Sequence, residues 1–340
     1  MLLGADISAL ERIEQAGGVF RDNGQPGDAI AILREHGSNI FRLRLFVTPN
    51  NQDVQVNDIA YTIRMARRVK LAGARLLLDL HYSDTWADPG HQSTPAAWAT
   101  LDLGALEQQV ETWSADVMTR LRQAGATPDI VQVGNEIDGG MLWPLGQLTS
   151  TGTDTTAQWD RFTRLLKAGI RGVRSAVAPG DSVRIMLHYS QGASTSGTQW
   201  FFDHMAAHAV PYDLIGLSYY PWSHGTLTEL TANLRATAQR YDRDVLVVET
   251  AYPWRAGGWE DMATNRAAMV WPVSPQGQAQ YLRDVVEAVA SVPSGHGAGV
   301  IWWYPEAIQV PNLFTWGGGS LSLFDPDGNI LDAAAVFRGP

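Results

Sequence analysis

Two short stretches of the chain end in glutamate directly after a run of apolar and small residues: Asp129-Ile-Val-Gln-Val-Gly-Asn-Glu136 and Asp244-Val-Leu-Val-Val-Glu249. Each has the make-up of a buried parallel strand that delivers a carboxylate at its C-terminal tip. Two such carboxylates facing one another are the apparatus of glycosidic-bond hydrolysis, one giving a proton and the other attacking the sugar. Glu107, Glu111, Glu229, Glu260 and Glu287 have no such setting; they fall on helix faces or in loops and read as solvated.

Other strand ends carry chemistry too: Arg42 and Arg44, Asp79 and His81, Asn135, His188, Tyr219 and Tyr220, Trp302 and Trp303. Any one of them alone is commonly a satisfied structural group. Burying all of them around one axis without use would be costly. The spacing therefore predicts a shared site in which Glu136 is the acid/base, its proton affinity lifted by the charge of its partner. Glu249 is the expected nucleophile and must stay ionised, with the carboxyls ~5 Å apart as in a retaining double displacement. Arg44, helped by Tyr219, is the expected group that holds Glu249 deprotonated. Asn135 is expected to bond a sugar 2-hydroxyl, and Trp303 to form the floor under the cleaved ring. Of the 13 Trp in the chain, Trp86, Trp98, Trp143, Trp222, Trp254, Trp259, Trp271 and Trp316 sit in Gly/Pro/Asp-rich loops. Some of these fill loop packing; others, with Trp86 and Trp222 foremost, are candidates to stack on sugar faces. His81, Asp84 and His188 complete the expected substrate-binding set.

Residues placed this way need elements to carry them, and strand-like and helix-like periods alternate from end to end. Strands are predicted at Leu2–Ser8, Asn39–Val47, Arg75–His81, Asp129–Glu136, Val183–His188, Asp213–Tyr220, Val245–Glu249 and Gly299–Tyr304. Between them lie helices near Asp28–His36, Asp58–Ala72 (with Asn57 as N-cap), Thr198–His208, Leu227–Tyr241 and Gly277–Ala290, and a terminal helical turn at Leu331–Arg338. Leu103, Leu106, Val110, Trp113, Val117 and Leu121 form one stripe, and Trp159, Phe162, Leu166, Ile170, Val173 and Val177 another. Eight strand–helix repeats without a linker predict a single (β/α)8 TIM barrel over residues 1–340, with elaborated loops on its C-terminal face, where such barrels hold their sites. A doubly wound open sheet would want a glycine-rich phosphate turn after the first strand, and Gly4-Ala-Asp-Ile-Ser8 is not one.

Composition excludes other classes. At 340 residues, 45% hydrophobic and 18% charged, the chain has a sizeable core. A formal net charge of −10 argues against nucleic-acid or anionic-membrane partners. No apolar run approaches the ~20 residues of a spanning helix. With no cysteine there is no disulfide, thiolate metal site or thiol nucleophile. A metal-dependent barrel hydrolase would need His-x-His on an early strand, which is missing. A binding module with decayed catalysis would be expected to have lost one of Asn135, Glu136 and Glu249. No cofactor is required for the chemistry, and the expected partner is a polysaccharide met by a monomer.

At these residues the chain resembles glycoside hydrolase family 53, the endo-β-1,4-galactanases. The resemblance rests on Gly4-Ala-Asp-Ile-Ser8, Arg42-Leu-Arg-Leu45, His81-Tyr-Ser-Asp-Thr-Trp-Ala-Asp-Pro-Gly90 and Val133-Gly-Asn-Glu-Ile137 with Gly140-Met-Leu-Trp-Pro144. Gly216-Leu-Ser-Tyr-Tyr-Pro221 and Val248-Glu-Thr-Ala-Tyr-Pro-Trp254 extend it. It implies a retaining mechanism with Glu136 as acid/base and Glu249 as nucleophile, acting on β-1,4-galactan side chains of pectin. A secreted or periplasmic location is expected, and because the first predicted strand begins almost at Met1 any export signal would already have been trimmed. The mechanism alone is equally compatible with mannan, xylan or another galactan. The chain departs from the family in having Tyr304-Pro305 after Trp303, with Glu306 beyond, and in Phe46 and Thr48. Bacterial relatives often hold calcium between the last two strand loops. Gly257–Trp271 offers only Glu260, Asp261 and Asn265, whereas calcium wants six to eight oxygens, so no metal is assigned.

Overall fold

The computed structural model describes residues 1–149 and 154–339. Its centre is a ring of eight parallel strands: β1 Leu2–Asp6, β2 Ile40–Leu45, β3 Arg75–Leu80, β4 Ile130–Val133, β5 Arg184–Tyr189, β6 Leu214–Tyr219, β7 Asp244–Thr250 and β8 Gly297–Trp303. Each pairs with its neighbours in sequence, and β1 closes on β8 with Leu2 opposite Gly299 and Asp6 opposite Trp303. The expected (β/α)8 barrel is what the chain forms.

Side chains alternate across each strand, so one set fills the barrel and the other packs under the helices. At the lower end the interior is apolar: Leu2, Ile40, Leu77, Ile130, Met186, Leu214, Leu246, Val248 and Ile301 form their own buried cluster. Each large side chain so buried contributes ~1.5–3 kcal/mol. Two residues further along the same strands the interior turns polar, with Arg42, Asp79, Gln132 and His188 buried. On β1 and β6 the step is four residues, from Leu2 to Asp6 and Leu214 to Ser218, with Gly4 and Gly216 between. A Cβ on Gly4 would meet the Ile40 carbonyl oxygen at 1.8 Å, so glycine is what lets β1 lie this close to β2.

Helices clothe the ring with their apolar stripes inward, the longest being Leu103–Gln123 and Thr156–Ser175. Their starts are capped by short polar side chains: Asp28, Asp58, Asp102, Thr155, Ser194, Thr226 and Ser274 each accept a backbone N–H from the first turn. The cap of the helix Ile59–Leu71 is thus Asp58 rather than Asn57. Asn57 instead accepts from Arg44 Nε at 3.0 Å and donates to the Ser8 carbonyl. A short helix at Leu10–Gln15 and a hairpin pairing Phe20–Asp22 with Gln25–Gly27 occupy the stretch between the first predicted strand and the first predicted helix.

Candidate active site

β4 ends at Val133, and the next three residues turn sharply inward. Gly134 has φ +85°, and a Cβ there would lie 2.5 Å from Ile137 Cγ2. Glu136 itself is left-handed, at φ 44° and ψ 58°, a backbone region that non-glycine residues enter at some cost. The result aims the Glu136 carboxyl into a cavity of ≈ 310 Å³ at the C-terminal mouth of the barrel, which Glu249 also lines. Glu249 arrives there by a different device. Leu246 and Val248 point into the barrel, so strict alternation would turn Glu249 outward. The register between β6 and β7 slips at this level: Leu217 faces Val247, but Ser218 faces Glu249. This bulge inserts one residue and re-aims the glutamate inward.

Arg42 organises the floor. Its Nη1 donates to Glu249 Oε1 at 2.6 Å and Asp6 Oδ2 at 3.1 Å, and its Nη2 to Asp79 Oδ2 and Asn135 Oδ1, both at 2.8 Å. Nε donates to Gln132 Oε1 at 3.1 Å. All five N–H bonds of the guanidinium are used. Burial works against the Arg42 charge, but Asp79, Glu249 and Asp6 outweigh it and raise its pKa. The Tyr220 hydroxyl adds a bond to Glu249 Oε2 at 3.2 Å.

The two glutamates differ in their surroundings. Burial raises Glu249 to about 7, with Arg42 opposing the rise and Asp79 and Asp6 adding to it. Burial lifts Glu136 well above the usual carboxylate range, and the charge of Glu249 lifts it further. Among the described residues no cation is paired with Glu136; its one side-chain hydrogen bond comes from Ser218, 2.6 Å from Oε1. The first negative charge of the pair therefore settles on Glu249 and the proton on Glu136.

The remaining wall is aromatic: Trp86, Tyr220, Trp303, Tyr304, Phe314 and Trp316 line the cavity, with Ala87, Asp88 and Asn135. Trp86 and Trp303 meet edge to face with centroids 6.2 Å apart, and Phe314 is 55% exposed at the rim. Asn135 donates one amide N–H to the Ala87 carbonyl at 2.8 Å, leaving the other for the cavity it lines.

Several expected residues lie elsewhere. Arg44 is on the same inward face as Arg42 but is buried outside the cavity, where Nε reaches Asn57 and Nη2 the Val54 carbonyl, each at 3.0 Å. Its guanidinium lies 4.2 Å from the Trp86 ring centre. Arg42, which is in register with Asp6, is the residue that meets Glu249. Tyr219 is also displaced from its expected role: Leu214, Gly216 and Ser218 face inward, so Tyr219 faces the helices, is fully buried and donates to the Gly225 carbonyl. Tyr220, one residue on, is the tyrosine that meets Glu249.

His81 lies behind the wall, its Nδ1 accepting from Ala87 N–H at 3.1 Å and its Nε2 2.9 Å from Asp79. Asp84 accepts from the backbone N–H of Thr48 and of Ala96, both at 2.9 Å, and ties two loops together. His188 is buried beneath Asn135 and Glu136 rather than open to a sugar. Trp222 is 3% exposed and packs against Tyr220 and Trp316, supporting the wall from behind. Trp316, named only as one of the loop tryptophans, does line the cavity, whereas sequence reasoning missed Phe314 altogether; the loop after β8 has no periodic signal to place either.

The loop 257–271, to which no metal is assigned, is held in place by hydrogen bonds. Glu260 accepts from Gly257 N–H at 2.9 Å, Arg266 donates to the Glu260 carbonyl at 2.9 Å, and Arg255 to the Gly318 carbonyl at 2.7 Å. The Glu260 carboxylate is taken by a backbone N–H and its carbonyl by a guanidinium, and among the described residues no cluster of three or more His, Asp or Glu is arranged for a metal. These residues do not fit a calcium ion.

A model of glycosyl hydrolase family 53 matches residues 2–337. A probable arabinogalactan endo-β-1,4-galactanase A from Aspergillus terreus is 38% identical, the match covering 89% of this chain and 84% of that protein. The arabinogalactan endo-β-1,4-galactanase of Humicola insolens is 34% identical over 98% of both. The solved family 53 catalytic domain of Ignisphaera aggregans superposes with a TM-score of 0.90 at 33% identity, covering 99% of this chain and 95% of that one.

Proposed function

The chain belongs to glycosyl hydrolase family 53, and from that premise we propose that it is an endo-acting, retaining β-1,4-galactanase. The observation that carries this reading is the unequal pair in one cavity: Glu249 on a guanidinium, Glu136 with no cation paired to it among the described residues. In the first half-reaction a Glu249 oxygen attacks the anomeric carbon while Glu136 gives its proton to the glycosidic oxygen. The bond between them breaks, one galactan fragment leaves as an alcohol, and the other remains as an ester on Glu249. In the second half a water gives a proton to Glu136 and attacks the same carbon, releasing Glu249 and a sugar of unchanged anomeric configuration.

Arg42 and Tyr220 hold Glu249 for attack, and Asn135 offers its free amide N–H to the 2-hydroxyl. Trp86, Trp303 and Trp316 supply flat faces for the C–H side of galactose rings, with Phe314 at the edge. The galactan assignment follows from the family and from the names its relatives carry; β-1,4-galactan side chains of pectin are the natural substrate on this reading. A monomer acting outside the cytoplasm suits a polymer that does not cross membranes. The test is hydrolysis of linear potato galactan, mannan and xylan, with proton NMR of the first products. Galactan cleaved to internal fragments that emerge first as β-anomers supports the proposal. Preference for mannan or xylan, or α-anomers first, overturns it.

A further inference from the structure

The Ser218 hydroxyl that bonds Glu136 is not free to point elsewhere. Its oxygen lies 2.8 Å from His188 Nε2. On the far side of the imidazole, Nδ1 faces the Gln132 amide nitrogen at 3.1 Å and the Glu136 backbone N–H at 3.3 Å. Asn135 Oδ1 is also 3.0 Å from Nδ1, but that oxygen already accepts from Arg42 at 2.8 Å and from Gln132 at 3.0 Å. A backbone N–H can only donate, so Nδ1 is the accepting nitrogen and the ring proton sits on Nε2. With Nε2–H donating to the Ser218 oxygen, the hydroxyl proton is directed at Glu136 Oε1.

We propose that His188 and Ser218 form a one-way donor chain ending on Glu136 Oε1, which positions the acid/base and favours its carboxylate form. The inference rests on the assignment of Glu136 above and gives that residue a partner. Glu136 must release a proton in one half-reaction and recover it in the next. Burial, then the charges of Glu249, Asp138 and Asp88, push it toward keeping the proton, and the Ser218 bond works the other way. Occupying Oε1 also leaves Oε2 to meet the glycosidic oxygen. Around His188 stand Arg42, Asp79, His81 and His224; burial, and next the Arg42 charge, hold the ring well below the usual histidine range and so neutral. A neutral ring has one N–H, and that is what gives the chain its direction. Ser218 and His188 are positioning residues: they act through Glu136 and are buried out of the cavity.

The test is the pH dependence of kcat/KM, whose basic limb reports the Glu136 proton in the free enzyme. Ser218→Ala removes the charge-assisted bond and is expected to move that limb up by about one pH unit. A general loosening of the fold would instead lower kcat/KM across the whole range. His188→Leu removes the donor to Ser218 and is expected to shift the limb in the same direction. His188→Gln keeps an amide N–H near the position of Nε2 and is expected to hold the limb close to wild type. Circular dichroism identifies the folded variants, and where Ser218→Ala does not fold, the difference between His188→Gln and His188→Leu decides. Folded, active Ser218→Ala or His188→Leu with the wild-type limb overturns the proposal. Wild-type hydrolysis by Glu136→Gln would overturn the acid/base assignment itself, a failure distinct from that of the donor chain.

Discussion

Replacing Arg42 by lysine keeps the positive charge and most of the stem, yet it should cripple the enzyme in a defined way. The guanidinium makes five hydrogen bonds of 2.6–3.1 Å, to Glu249, Asp6, Asp79, Asn135 and Gln132. An ammonium has three donors, so at least two acceptors lose theirs. Each bond to a charged partner is worth ~1.5–3 kcal/mol, so the loss of two costs roughly 3–6 kcal/mol of stability, which a domain with ~5–15 kcal/mol survives only narrowly. The catalytic effect is separate. Arg42 opposes protonation of Glu249, so weakening that contact raises the Glu249 pKa and the ionised nucleophile forms only at higher pH. At ~1.4 kcal/mol per pH unit, one lost bond moves the acid limb of kcat/KM upward by about one to two units. Below the limb, activity on linear galactan should fall about 10- to 100-fold. The assay is reducing-end release against pH, with a melt recorded on the same samples. Arg44→Lys is the control: its bonds run to Asn57 and Val54, so its acid limb should stay in place while KM rises through the Trp86 ring it supports. An unmoved limb in Arg42→Lys, or an equal shift in Arg44→Lys, would refute the assignment of Arg42.

Glu249→Ala should abolish turnover, with azide restoring it and giving product of inverted configuration; appreciable unaided activity would argue against the nucleophile. Glu136→Gln should lose about 10²- to 10⁴-fold on galactan but much less on aryl galactosides with good leaving groups, and an equal loss on both would rule out an acid role. Trp86→Ala should raise KM for long galactan chains more than for short ones, since Trp86 lines the cavity, whereas uniform KM values would mean it meets no sugar. Glu306 is buried, accepts one bond from Ala9 N–H and has an unpartnered Oε2. Burial holds its pKa well above the usual range, so the folded state retains a proton that the unfolded chain releases, and stability falls as pH rises above the unfolded value. Glu306→Gln should therefore raise the melting temperature at pH 8 and leave it nearly unchanged at pH 4; a gain independent of pH would contradict this.

The barrel was legible because its information is local. Alternating strands and amphipathic helices repeat with a period that any window reveals, and Asp, Ser or Thr stands at the start of most helices. The site was legible only in part. That Tyr220 rather than Tyr219 faces inward is available from the two-residue period running through Leu214, Gly216 and Ser218. The choice between Arg42 and Arg44 is not, because both share a face; only the pairing of β2 with β1 sets Arg42 beside Asp6. Glu249 is the sharper case, since alternation from Leu246 and Val248 would point it away from the cavity. The slip in register that corrects this depends on a neighbouring strand and leaves no mark in the sequence of β7 itself. Phe314 and Trp316 reach the wall through a long loop whose path is set by packing, not by pattern.

The fork of Arg42 gathers acceptors from β1, β3, β4 with the turn after it, and β7. Those segments are scattered over more than two hundred residues of chain, and the ring itself closes only when β8 docks on β1. A nascent or nicked polypeptide lacking its final third thus has no way to aim a nucleophile, however native its first helices. Competence to cut sugar arrives in one step with completion of the cylinder. Loss of hydrolytic power on gentle heating should in turn report the earliest parting of any of these strands, sooner than spectroscopic signals that average over the helical shell.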